Sequence, residues 1–197
     1  MIPVSPAPEP PGFDKHVRQK GNEWLNNNPG ADSSDYKDCW NDQDHCRSPL
    51  QKAFHCRCAY LGHWIPKGQV DHFIPKSANS REAYEWTNYR YAEASVNNKK
   101  RAREFLDPFT IDNDWIEIDP VTLNFKYTNN VPPTSLKAAK TTVDVLNDKE
   151  LVDARKALLT AFGDLNAAYE QILDFFPLLA RSLQEAGLVK QPEPVPA

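Results

Sequence analysis

The 197-residue chain has no apolar run near the length of a membrane span, and its N-terminus lacks the basic start and apolar centre of a signal peptide. A helical membrane protein is therefore excluded, and a cytoplasmic one is expected. There the cysteines, Cys39, Cys46, Cys56 and Cys58, are expected as reduced thiols or metal ligands rather than disulfides. None forms a CxxC pair, the spacing that makes a zinc reading strong. An excess of positive charge is also missing. The formal net charge is −4, which argues against a general polyanion binder.

Proline is plentiful, at 17 residues against 7 glycines. Five prolines lie among the first eleven residues and three among the last six, so both ends are expected to be extended and weakly ordered. The composition is otherwise that of one soluble domain with an appended arm. The expected organisation is an N-terminal arm and packing segment over 1–55, a core over 56–108, a hairpin with C-terminal helices over 109–190, and a disordered tail over 191–197.

Charge is uneven. From Leu61 to Leu106 there are eight basic and five acidic side chains, a local +3 on an acidic body. Such a compact basic stretch suits a phosphate-facing site. In the arm, Phe13, Val17 and Trp24 are candidates to pack onto the body. The segment from Cys56 to Phe73 reads as a hairpin, because two β-prone runs flank Ile65-Pro66-Lys67-Gly68. That puts Asp71 and His72 at a strand end. A polar loop carrying Asn88 follows, then a helix over about 93–105, stopped by Asp107-Pro108. On it, Asn97, Lys100 and Arg101 share a face. A second hairpin is expected over 115–127. Two further helices follow: one capped by Asn147 with Glu150 three residues on, and one over 164–186 kinked at Pro177.

Asp71-His72, Asn88, Asn97 and Lys100 belong together, separated by 16, 9 and 3 residues. A strand end, a loop and a helical turn bring them onto one small surface. Phosphodiester hydrolysis needs a deprotonated water, charge compensation on the phosphate and help for the leaving oxygen. An imidazole can take the water's proton, a role worth roughly 10²- to 10⁴-fold in rate. A carboxylate and an amide oxygen suit a hard cation, and the Asn88 amide can tie down the loop that aims His72.

The segment from Cys58 to Pro108 resembles an HNH endonuclease of the Asp-His/Asn/Asn variety, through VDHFIPKS (70–77), EWTNYR (85–90) and NNKK (97–100). The resemblance implies an α+β fold with a ββα-metal core of hairpin plus helix, here with a Pro-rich arm and a helical C-terminal layer. It implies His72 as general base, Asn88 as the middle asparagine, and Asp71 and Asn97 as ligands of one Mg²⁺ or Mn²⁺. The substrate implied is DNA, contacted by Lys76, Arg90, Lys99, Lys100, Arg101 and Arg103. More loosely, the whole chain is similar to bacterial HNH proteins of anti-phage defence loci of Septu-like and retron-associated types, which implies an ATPase or another defence protein as the partner that supplies targeting.

The chain departs from the family in one respect. Cys58 and Leu61, then Glu93 and Val96, stand where many HNH proteins have two zinc-binding CxxC pairs. Packing by Tyr60, Trp64, Trp86 and Tyr89 has to replace that brace. A structural zinc on the cysteines with His45, His55 and His63 is an alternative, and His16 has no evident partner. Two rival functions stand beside the nuclease: an HNH-like module that binds nucleic acid or a partner without cutting, and a zinc-stabilised adaptor.

Overall fold

In the computed structural model, which describes residues 1–189, the chain is a mixed α+β protein with two small antiparallel hairpins. The first ten residues are irregular but not loose. Met1 is 1% exposed, the Val4 amide donates to the Pro108 carbonyl, and Trp86 Nε1 donates to the Ala7 carbonyl. The N-terminus expected to be extended and weakly ordered is extended, but these contacts of Met1, Val4 and Ala7 hold it against the body. The expected tail over 191–197 lies outside the described residues.

A wide π-type turn over Asp14–Arg18 runs into helix α1 (Gln19–Asn27). Phe13 and Val17 are fully buried, with Phe13 edge-on to Trp86 and Tyr89. Gly21 lets the helix approach Tyr84, because a Cβ there would lie 2.2 Å from that ring. A second π-type turn, Gln43–Arg47, leads into α2 (Ser48–Ala53).

Strand β1 (Gln69–His72) pairs antiparallel with β2 (Tyr89–Ala92), setting Asp71 opposite Arg90 and His72 opposite Tyr89. This corrects the expected hairpin partner. The upstream run makes only an Arg57–Trp64 bridge, and its Ala59 amide donates to the Tyr91 carbonyl. Strand β2 is buried at all four residues, Arg90 included, so it lacks the alternation in exposure of a half-buried strand.

Helix α3 spans Ala94–Lys100, shorter than expected. Arg101 takes φ 48° and ends it, and the chain then turns to bury Phe105 and Leu106, the latter's amide donating to Thr142 Oγ1. Two lysines at the helix C-terminus suit its dipole.

Strands β3 (Ile116–Ile118) and β4 (Phe125–Tyr127) form the second hairpin. Helices α4 (Leu136–Leu146), α5 (Lys149–Phe162), α6 (Tyr169–Phe175) and α7 (Pro177–Glu185) form the C-terminal layer. Asp148, not Asn147, caps α5; Asn147 instead bonds both the amide and the carbonyl of Phe125. The expected last helix is broken in two at Phe176, directly before Pro177. Among the described residues no helix is long and apolar enough to cross a membrane.

Candidate active site

The open end of β1, the start of α3 and the loop after β1 surround a cleft of about 900 Å³, lined by Asp71, His72, Asn97, Lys76, Arg101 and Trp40 among others. Of the residues expected together, Asp71, His72 and Asn97 line this cleft, Lys100 meets Asp71 without lining it, and Asn88 lies outside it in the loop between β1 and β2.

Asp71 is 3% exposed. Tyr60 Oη donates to its Oδ2 at 2.5 Å, and Lys100 Nζ stands 3.2 Å from its Oδ1. Lys100 also donates to the carbonyls of His72 and Phe73 at 3.0 and 3.3 Å. A carboxylate has about four lone-pair sites, more than these donors occupy. Burial, then the neighbouring Asp71 charge, pushes the Tyr60 phenol well above its ordinary pKa, keeping it a donor.

His72 lies edge-on between Trp40 and Tyr89, with centroids 4.7 and 5.1 Å away. Its Nε2 is 2.9 Å from the Ala83 carbonyl. A carbonyl only accepts, so Nε2 carries the proton and Nδ1 keeps the lone pair. Burial lowers the imidazole pKa to about 4, so the ring is neutral at physiological pH.

Asn88 clamps the loop. Its Oδ1 accepts from the Ile74 amide at 2.7 Å, and its Nδ2 donates to the carbonyls of Ile74 at 3.0 Å and Glu82 at 2.9 Å. Ala83, which holds His72, follows Glu82 directly. Asn97 donates through Nδ2 to Gln69 Oε1 at 3.1 Å, which leaves its Oδ1 as the acceptor end. Asp71 and Asn97 thus offer the oxygen donors that a hard divalent cation takes, and their small number suits an ion that keeps waters or binds substrate oxygens.

The basic residues separate sharply. Arg90 is corrected as a nucleic-acid contact: it is 2% exposed, grips Asp107 through two bonds of 2.9 and 2.7 Å, and lies 3.6 Å over the Phe109 ring. Lys100 is fully buried on Asp71, and Lys99 is paired with Asp148 and Glu150 at 3.0 Å each. Arg103 is exposed and donates to the Lys99 carbonyl, and it lines a neighbouring groove rather than the cleft. Lys76 and Arg101 do line the cleft. Lys76 Nζ sits 4.3 Å over Trp40, and desolvation lowers its pKa.

Arg47, Lys67 and Trp40 line the same cleft and were missed from the sequence, as was Tyr60 beneath Asp71. Lys67 carried a signal as part of the local basic excess, and Tyr60 only as a packing residue.

The cysteines stand apart from this chemistry. Cys46 and Cys58 are buried, and burial pushes their thiols up to about 12 and about 11. Among the described residues no cysteine belongs to a group of three side chains close enough to hold an ion. No protein-family model, curated protein or solved structure matches this chain.

Proposed function

We propose that the protein is a metal-dependent endonuclease of the HNH type, with β1, β2 and α3 as its ββα-metal core, which hydrolyses DNA to 3′-hydroxyl and 5′-phosphate ends. One observation carries the reading: His72, which lines the cleft with Asp71 and Asn97, is pinned through Nε2 to the Ala83 carbonyl, which leaves Nδ1 as the ring nitrogen free to act as a base. His72 accepts the proton of the attacking water at Nδ1. Asp71 and Asn97 would hold one Mg²⁺ or Mn²⁺, which would supply Lewis-acid compensation on the phosphate. Asn88 fixes the loop that positions His72, and Tyr60 and Lys100 fix the Asp71 carboxylate. Arg47, Lys67, Lys76 and Arg101 meet the backbone phosphates, with Trp40 as a flat wall beside them. Four cations make a modest electrostatic footprint, so a partner protein, such as the ATPase of a defence system, supplies target choice.

A second reading has one observation in its favour: the Lys100 ammonium already neutralises Asp71, as in a module that binds nucleic acid without cutting. A plasmid-nicking assay with Mg²⁺, Mn²⁺ or EDTA separates the two. Metal-dependent cutting by the wild type, abolished in His72→Ala of unchanged circular dichroism, is the expected result. DNA binding without cutting in any metal, with the same result when candidate partner proteins are added, favours the second.

A further inference from the structure

We infer that His16, Asp42 and His45 form a separate metal site for a borderline transition ion such as Zn²⁺, which ties the N-terminal segment to the turn ahead of α2. The inference is independent of the cleft chemistry.

His16 lies in the π-type turn before α1, and His45 in the one before α2. Twenty-nine residues separate them in sequence. In the fold their rings lie face to face, with centroids 3.7 Å apart and planes 2° from parallel. The backbone is opened for this contact: Gly12 adopts φ +83°, and a Cβ there would stand 2.6 Å from His45 Cδ2. Asp42 Oδ1 is 2.9 Å from His45 Nδ1, and the same oxygen accepts the amides of Asp44 and His45, so the carboxylate is immobilised. One ligand atom from each residue falls within 4.8 Å of the others.

A face-to-face stack is the least favoured arrangement of two aromatic rings, and two imidazolium ions at this spacing repel. The stack is therefore not self-explanatory as a packing device. Burial, and then the facing His45, lower the His16 pKa and favour the neutral ring, the form that binds metals. Lys15 and Lys20 add positive charge nearby, which Asp42 opposes.

Two imidazoles and one carboxylate match zinc and its neighbours better than Mg²⁺. Zinc bonds of about 2.0–2.1 Å place tetrahedral ligand atoms roughly 3.3 Å apart. The Asp42–His45 spacing is already close to that, but imidazole lone pairs lie in the ring planes, so the parallel rings cannot both reach one ion and binding requires the His16 ring to swing out of the stack. Three protein ligands leave a fourth position for water.

The test uses the full chain, stripped with EDTA and dialysed against Zn²⁺. Bound zinc is counted by mass spectrometry in the wild type, His16→Gln, His45→Gln and His72→Ala. One zinc per chain is expected in the wild type and His72→Ala, with loss in the other two, and a zinc-dependent rise in melting temperature that those two variants lack. Co²⁺ in place of zinc should give tetrahedral visible bands without thiolate charge-transfer absorption. Should either histidine variant misfold, the ¹⁵N shifts of both rings in the wild type decide, since zinc must move them. No zinc in the wild type, zinc retained in both histidine variants, thiolate bands, or unmoved ring shifts would each overturn the site.

Discussion

Lys100 Nζ stands 3.2 Å from the Asp71 carboxylate, in a pair whose side chains are 0% and 4% exposed. Each charge is compensated mainly by the other, with Tyr60 and two backbone carbonyls completing the shell. The pair fastens the C-terminus of α3 to the end of β1, adding an ion pair to the apolar packing of Val70, Tyr91 and Val96. Lys100→Met should therefore destabilise the fold by about 3–5 kcal/mol, because it strands a buried carboxylate. Asp71→Asn/Lys100→Met should recover much of that loss. Urea denaturation of the two variants checks this, and a neutral single variant would contradict the buried pairing.

Asn88 makes three hydrogen bonds to the backbone of the loop between β1 and β2. At roughly 1 kcal/mol net for each, Asn88→Ala should cost about 3 kcal/mol. Amide exchange at Ile74 should accelerate selectively. Because Ala83 follows Glu82 in the clamped loop, nicking should fall further than the fraction unfolded accounts for. Unchanged exchange at Ile74 would show that the loop is held by something else.

These two residues also mark what could be read from the chain alone. QVDHF has a local strand signal, so Asp71 and His72 were placed at a strand end correctly, and the Asn97–Lys100 helix turn followed from good helix formers. The Asn88 clamp reaches Ile74 and Glu82, 14 and 6 residues away, so it is not a local Asx turn, and its role as a loop clamp has no local signature. The partner of β1 was not legible. Tyr89–Ala92 is short and buried throughout, while the Pro-Lys-Gly turn upstream offered a more local partner. The fates of the basic residues were equally hidden. Lys99, Lys100 and Arg90 look alike in sequence, yet their counter-ions Asp148, Asp71 and Asp107 come from three other segments. Long-range pairing of this sort has no local signature.

That separation of basic residues gives a further test. Arg90→Ala removes a buried, bidentate, stacked guanidinium, and should destabilise the protein by about 3–5 kcal/mol. Arg101→Gln, at an exposed position lining the cleft, should change stability by no more than about 0.5 kcal/mol. It should nevertheless weaken binding to duplex DNA and reduce the salt slope of log K by about 1. Melting curves and fluorescence-anisotropy titrations at several salt concentrations measure both. Equal loss of DNA affinity at constant stability in the two variants would put Arg90 back on the surface.

His72 offers the most direct reading of the proposed base. Its Nε2 faces the Ala83 carbonyl, so ¹⁵N correlation spectra of the imidazole should show the Nε2–H tautomer, with Nδ1 unprotonated. Burial lowers the folded-state pKa from 6.5 to about 4. A depressed histidine pKa means that the neutral ring is favoured by the fold. Its contribution to stability is full above pH 6.5 and is lost as pH falls towards about 4, since the unfolded chain binds the proton first. The His72 ring should accordingly stay neutral through pH 5 to 6, where an exposed histidine protonates, and the melting temperature should decline over the same acid range. His72→Phe keeps an aromatic ring in the Trp40–Tyr89 slot but has nothing to protonate, so its melting temperature should decline less steeply there. A ring that titrates at the ordinary value, or that carries its proton on Nδ1, would remove His72 as the base in the arrangement seen here.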